Sequence, residues 1–477
     1  SVEVELIGPN IGPGVRRRLA PPADGAFSVI HVGEAVNYGV ASEAELSQRN
    51  SLENAAFKNA ALANASLANA SIVGDVSAAI GDWPERVERE ATVAAVKSTA
   101  DANGAGSTND SRDTAEPVEW PVTVNGRFQR AGDEDWYRVT LAEKQRVWIE
   151  TIAHRFVRSP VDTSLQVFDS QGALVAENDD DATIDPGYES IHDFKTTDSR
   201  ILLTAPKSGD YWIRVGEQSG NHGPRAVYRL SIHEAVPDFQ LRHFPDAVPV
   251  WGPGSTAAVL VKIDRLAGCN DEIELTIEGL DPKWRSSKTV SLGTTPERPL
   301  NQYQSKMFLT VTAPDDAPLG STAEFRIVGR MKRDGRTIER RSWPITLFYT
   351  SDTGFFRVSP AARVAVAKSQ GPWLEAITTE ITTTPGGKTT IPVRVRGAEG
   401  LKEMPLVVNL IAAGVGCGIT TPQNLPIVDG RVDVPLTLPP EIPPGEFGIV
   451  VAQTWRSDIR VGMPGPCTPL IKLRVMK

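Results

Sequence analysis

The chain has 477 residues, with 40 Gly, 36 Pro and a net charge of −9. That length is too great for one small core and implies three or four domains, and the Gly and Pro content implies many turns between short strands. The acidic balance argues against nucleic acid as a partner, because phosphate neutralisation needs a basic face. No stretch is long and apolar enough to cross a membrane as a helix, so membrane insertion is not expected.

Residues 1–47 open with alternating Val2, Val4 and Leu6 and continue through AFSVIHVGEAVNYGV, which reads as a partial β-module. Arg16, Arg17 and Arg18 read as a solvated loop. The chain begins at Ser1 without an apolar leader, as expected of a processed export product. Residues 48–108 hold a repeat and a linker. Leu52, Phe57, Leu62, Leu67 and Ile72 recur every fifth residue, with Asn54, Asn59, Asn64 and Asn69 in constant phase. Five residues of α-helix turn roughly 500°, so this period makes no helical stripe. The competing reading is an Ala-rich helix, since Ala and Leu are good helix formers. A short helix is expected over Trp83–Lys97, followed by a Ser/Gly/Asn/Asp linker.

Residues 109–235 contain short alternating runs separated by Gly, Asp and Ser turns. Tyr137, Val139 and Leu141 share one parity, Val147, Ile149 and Thr151 another, and Tyr211, Ile213 and Val215 a third. This is the pattern of antiparallel strands, each with one buried face. Residues 236–352 continue it with Val259, Val261 and Ile263, with Ile273, Leu275 and Ile277, and with a hairpin turning at Asp334-Gly335. Residues 353–477 repeat the pattern, with a second such turn at Asp429-Gly430. The last two regions read as immunoglobulin-like sandwiches. The fold class is mainly β, with tandem antiparallel sandwiches and a short repeat or helical insert near the N-terminus.

The blocks NGRF, GDEDWYRV, LQVFDSQG, NDDD, LTAPKSGDYWIRV and YRLSI occur in that order between Asn125 and Ile232. In that order they resemble the bacterial pre-peptidase C-terminal domain, a β-sandwich appended to many exported proteins. The five-residue phase of Asn50–Val73 similarly resembles the pentapeptide repeat, whose central Leu or Phe and small Ala point into a square β-helix. The first resemblance implies a secreted, cell-surface or periplasmic bacterial protein without catalytic machinery of its own, serving adhesion, surface structure or assembly. The alternative is an accessory region of a larger secreted hydrolase.

The six His residues show no paired metal-ligand spacing, there is no G-x-S-x-G elbow, and Gly386-Gly387-Lys388-Thr389 lacks the leading Gly of a phosphate loop. Clustered hard oxygens are what Ca²⁺ takes. Asp133, Glu134 and Asp135 precede one strand, and Asn178–Asp181 follow another. The resemblance implies Ca²⁺ at Asn109, Asp110, Asp133 and Asp135, although Gly106, Ser107 and Thr108 stand where the family has acidic residues. Trp120, Trp136, Trp148 and Trp212 are candidates for a protein or carbohydrate platform, with core packing as the competing reading. Protein partners or self-assembly are expected. In an oxidising compartment Cys417 and Cys467 are expected to pair, leaving Cys269 alone.

Overall fold

The computed structural model describes residues 2–5, 16–19, 29–31, 77–79, 83–89, 109–154, 157, 159–180, 196–294, 305–349, 354–359, 361–368, 373–396, 408–412, 419–422, 425–453 and 466–477. The five-residue repeat of Asn50–Val73 lies outside them. The regular secondary structure of the described chain is almost entirely β, with no α-helical element, so the tandem-sandwich reading of the fold class is borne out. It divides into two compact units. One comprises Ser1–Thr140, Glu150–Glu177 and Gly209–Ile232, and the other Leu141–Ile149, Asn178–Ser208 and His233–Lys477.

Four short strands come first: β1 (Val2–Glu5), β2 (Arg16–Leu19), β3 (Val29–His31) and β4 (Ser77–Ala79). The basic run expected as a loop is instead strand β2. It pairs antiparallel with β1, which sets Glu3 opposite Arg18 and Glu5 opposite Arg16 in the register.

Ten strands build the central sandwich. They are β5 (Glu85–Val87), β6 (Glu116–Pro117), β7 (Val122–Arg127), β8 (Glu134–Leu141), β9 (Arg146–Ile152), β10 (Thr163–Phe168), β11 (Leu174–Asn178), β12 (Arg200–Thr204), β13 (Gly209–Glu217) and β14 (Val227–Glu234). One sheet runs β11-β10-β13-β8-β6 and the other β12-β9-β14-β7-β5. The buried parity is the one that the alternation predicts. Tyr137, Val139 and Leu141 on β8 and Tyr211, Ile213 and Val215 on β13 are all buried, and such side chains contribute about 1.5–3 kcal/mol each when fully removed from water.

The helix expected over Trp83–Lys97 is not what forms at its N-terminal end, where Glu85–Val87 make strand β5, parallel to β7. Three residues at helical spacing carry little intrinsic preference, and the exposed ladder of a neighbouring strand outweighs it.

The remaining strands are β15 (Asp238–Phe244), β16 (Ala247–Val250), β17 (Thr256–Leu266), β18 (Ile273–Glu278), β19 (Arg285–Ser286), β20 (Lys288–Ser291), β21 (Lys306–Thr312), β22 (Thr322–Arg333), β23 (Arg336–Tyr349), β24 (Gly354–Val358) and β25 (Ala362–Val366). They are followed by β26 (Trp373–Ala376), β27 (Glu380–Thr383), β28 (Lys388–Arg396), β29 (Val408–Ala412), β30 (Arg431–Thr437), β31 (Gly445–Gln453) and β32 (Ile471–Val475). β16 to β25 to β22 to β23 to β15 to β17 to β21 to β19 form one continuous path. One apolar cluster runs from Phe239 to Val475. Both Asp-Gly turns are where the sequence puts them. Asp334 and Gly335 have φ of 49° and 74°, and Asp429 and Gly430 have 50° and 69°, the left-handed pair that a tight two-residue hairpin needs.

Strand β17 is buried on both faces. Val259, Val261 and Ile263 line the apolar side, while Ala258, Lys262 and Asp264 lie on the other and are also buried. Register places Arg242 of β15, Lys262 of β17 and Lys306 of β21 level across three neighbouring strands. All three are buried, and Arg242 makes an ion pair with Asp264.

Cys467 is a free, buried thiol whose Sγ lies 3.6 Å from the Thr256 carbonyl oxygen. The expected pairing of Cys467 with Cys417 falls on a residue, Cys417, that lies outside the described residues. Burial also raises the Cys467 thiol far above its ordinary pKa, which keeps it protonated and unreactive.

Candidate functional site

Strand β8 carries two chemistries on its two faces. Asp133 and Asp135 share the inward parity of Tyr137 and are buried, while Glu134, Trp136 and Arg138 point outward. The four residues singled out for calcium therefore fall into two groups.

The first group surrounds Arg130. Its guanidinium lies 2.8 Å from Asp110 Oδ2 and 3.4 Å from Asp133 Oδ1. Asp133 Oδ2 accepts the Gln129 N–H at 2.6 Å, and the Asn109 carbonyl accepts the Trp136 N–H at 2.8 Å. The buried Asn109 amide has neither its Oδ1 nor its Nδ2 hydrogen-bonded among the described residues. A calcium shell needs six to eight oxygens. Here the Arg130 guanidinium bridges the two carboxylates and offsets one of their two charges, and among the described residues no three His, Cys, Asp or Glu side chains come together as a metal site. The Asn178 amide is likewise engaged locally. Asn178 Oδ1 accepts the Arg200 N–H at 2.7 Å, and its Nδ2 donates to the Asp180 carbonyl at 2.8 Å.

The second group is a buried tyrosine–carboxylate chain. Tyr228 donates to Asp135 Oδ2 at 2.7 Å, and the Tyr137 and Tyr228 hydroxyls are 2.6 Å apart. Each phenol has one proton. Since an ionised carboxylate can only accept, Tyr228 gives its proton to Asp135 and Tyr137 gives its own to Tyr228. Glu88 Oε2 stands at 3.4 Å and 3.3 Å from the two hydroxyls as a secondary acceptor. Burial first, and then the Asp135 charge, raises both phenols well above their ordinary pKa. Gly126 lies opposite Tyr228 in the ladder, and a Cβ there would overlap the phenol ring. Glycine is what lets the ring lie across β7 and reach Asp135.

Sequence reasoning placed Asp135 ahead of a strand with a metal role and missed its partners. A signal was present, because Asp135 has the parity of Tyr137, Val139 and Leu141, and a carboxylate on a core face must be hydrogen-bonded. Tyr228 is 93 residues away from Asp135, so spacing could not supply it.

The outward face of the β11-β10-β13-β8-β6 sheet carries an aromatic row. Trp136 stacks on Phe168 with centroids 5.4 Å apart, Phe168 is the register partner of Trp212, and the Arg112 guanidinium sits 4.5 Å above the Trp212 ring. Arg112 is fixed there by bonds of 3.0 Å to the Asp169 and Ser170 carbonyls. Arg214 bridges Gln166 and Glu134 beside the row. Trp136, Phe168 and Trp212 are all half-buried. Trp120, also half-buried, donates its indole N–H to the Thr140 carbonyl at 3.2 Å. Trp148 is core, packed with Ala235 and Ala267. No helix among the described residues is long and apolar enough to cross a membrane.

Residues 133–217 match the family model of the bacterial pre-peptidase C-terminal domain, so the chain carries such a domain within the central sandwich. Among solved structures, the FdeC adhesin of Escherichia coli is 13% identical, with 56% of this chain and 78% of that one covered and a TM-score of 0.16. A protein of unknown function from Porphyromonas gingivalis W83 is 10% identical, with 49% and 99% covered and a TM-score of 0.17. Among curated proteins none matches the chain.

Proposed function

We propose that this is an exported bacterial β-protein without a catalytic role, acting at the cell surface or in the periplasm by holding partners rather than transforming them. The observation that carries the reading is the aromatic row Trp136–Phe168–Trp212 on the outer face of a pre-peptidase C-terminal sandwich. Rigid aromatic rings at half-exposure with a fixed guanidinium above one of them supply contact area at low entropic cost. A protein surface is the preferred partner, because the polar row of Arg214, Glu134 and Gln166 beside the rings gives both signs of charge. A carbohydrate, stacking on the rings alone, is the second ligand class.

The test is made in the producing bacterium. Surface labelling and fractionation are expected to place the protein outside the inner membrane. A W136A/W212A variant is expected to be exported normally but to lose attachment to the cell material or host surface that the unmodified protein retains. Cytoplasmic retention, or attachment unchanged by the double substitution, overturns the reading. Sequencing the whole coding region decides the alternative, since a catalytic domain in the same reading frame makes this chain the accessory part of a secreted hydrolase.

For the Asn109, Asp110, Asp133 and Asp135 cluster we propose a resident guanidinium in place of a metal. Arg130 supplies the positive charge that joins the segment leading into the sandwich to the turn before β8.

A further inference from the structure

Residues 83–89 are attached to the central sandwich in an unusual way. The backbone of this segment completes the edge of β7. Thr123 donates its N–H to the Pro84 carbonyl at 2.8 Å, Glu88 donates its N–H to the Asn125 carbonyl at 3.1 Å, and Arg127 donates its N–H to Glu88 Oε1 at 2.8 Å. Its side chains are held by fittings on three further strands. Glu85 pairs with Arg229 of β14 at 2.7 Å. Arg86 pairs with the buried carboxylate of Glu116 on β6, which also accepts the Arg89 N–H at 3.0 Å. Glu88 reaches the Tyr137 and Tyr228 hydroxyls.

None of residues 83–89 is buried, and Val87 is 74% exposed. The attachment is therefore made mainly of hydrogen bonds and ion pairs, with little apolar burial beyond the half-buried Trp83. Elements held in this way open at low free energy. When this one opens, β7 becomes a bare edge with unpaired N–H and C=O groups, the template that recruits another strand. The segment joins the rest of its own sandwich only through residues 90–108. Nineteen residues reach at most roughly 60–70 Å, whereas a domain of this size has a radius of gyration of about 13 Å. Connectivity does not dictate which chain fills the edge.

We infer that the β7 edge, with Glu116, Arg229 and the tyrosine pair, is a strand-acceptor site, and that residues 83–89 of a second copy of this chain fill it by exchange. The occupant follows from charge order. The acceptor offers a cation to residue 85, an anion to 86 and 89, and phenol hydroxyls to 88, which is matched by the Glu-Arg-Val-Glu-Arg run of Glu85–Arg89 and not by a generic strand. In isolated protein the tethered copy competes at an effective concentration in the millimolar range, so exchange rises with packing density. The inference goes beyond the proposed function and stands or falls separately from it.

The experiment traps exchange covalently. Val87 and Asn125 are register partners. One full-length chain carries Val87→Cys and another, of different tag mass, carries Asn125→Cys. The two are mixed at high concentration under mild oxidation. The expected result is an interchain link between positions 87 and 125, identified by peptide mapping so that the three native cysteines are not confused with it. A synthetic peptide covering 83–89 is expected to suppress the link. Glu85→Arg in the donor chain is expected to abolish it, and Arg229→Glu in the acceptor to restore it. The V87C/N125C double variant is the control, expected to close the link within one chain. If that control closes and the mixed chains give no link, exchange is refuted. If the control does not close, the register itself is wrong and the inference falls with it. A link that ignores the peptide or the charge reversal is collisional and also overturns the proposal.

Discussion

Replacing Tyr228 by Phe removes one hydroxyl from the buried chain that runs from Tyr137 through Tyr228 to Asp135. The proton order makes the two tyrosines unequal. Tyr228 donates to a carboxylate, a charge-assisted bond worth about 1.5–3 kcal/mol, and its loss also takes away the nearer acceptor of the Tyr137 proton, leaving Glu88 Oε2 at 3.4 Å. The expected cost of Tyr228→Phe is thus about 2–4 kcal/mol. Tyr137→Phe loses only a neutral donor, at about 1 kcal/mol, because Tyr228 and Asp135 remain paired. Both phenols are buried, and phenylalanine leaves the ring packing in place. Urea unfolding followed by tryptophan fluorescence reads the difference as a larger fall in midpoint for Tyr228→Phe at unchanged slope. The double variant should cost less than the sum of the two, since the shared bond is counted twice. If Tyr137→Phe costs as much as Tyr228→Phe, the proton order argued from the carboxylate is wrong.

Three further outcomes are expected. Ile213→Asp places an unpaired charge at a fully buried site and should unfold its sandwich, while Leu174→Asp, at an exposed site, should leave the melting temperature nearly unchanged; equal melting of both variants would mean that the strand phase is off by one. Burial lowers His243 to about 3, against a smaller opposing pull from Asp246, and its Nδ1 lies 2.8 Å from Ser342 Oγ. The unfolded imidazole therefore binds a proton first, and stability should fall by about 1.4 kcal/mol per pH unit on acidification from roughly 6.5 towards 3. His243→Asn should flatten that slope in pH-dependent urea melts, and an unchanged slope would move the titration elsewhere. Calorimetric titration with Ca²⁺ should show no site tighter than micromolar, whereas Arg130→Gln, by freeing Asp110 and Asp133, should raise the affinity. A tight site in the unmodified protein would refute the resident-guanidinium reading.

Period-two alternation carried most of the sandwich, because one wet and one dry face is what a strand such as β8 has. It carried less where both faces are covered. Along β9 every residue from Val147 to Ile152 is buried, so parity there chose a face that does not differ from the other. The β5 segment was misread for a related reason. Glu85–Arg89 has no apolar stripe to reveal itself, and its conformation comes from partners at Thr123, Glu116 and Arg229 that local propensity cannot report. Asp133 and Asp135 look equivalent in sequence, yet one meets Arg130 and the other Tyr228. What separates them is a single Gly at 126 and a strand nearly a hundred residues downstream.

The level row of Arg242, Lys262 and Lys306 has a consequence for how such a chain avoids mispairing. A protein with thirty-two strands among its described residues has many nearly equivalent ladders open to it while it folds, and each wrong ladder exposes sticky edges. Sliding β17 by one residue against β15 or β21 would swing Lys262 into the face now held by Leu241, Val261 and Met307. The penalty is several kcal/mol for a displaced charge, larger than the gain from a few extra backbone bonds. Three cations on one line thus act as a proofreading mark for strand register, rejecting a slipped pairing before the rest of the sheet can settle on it.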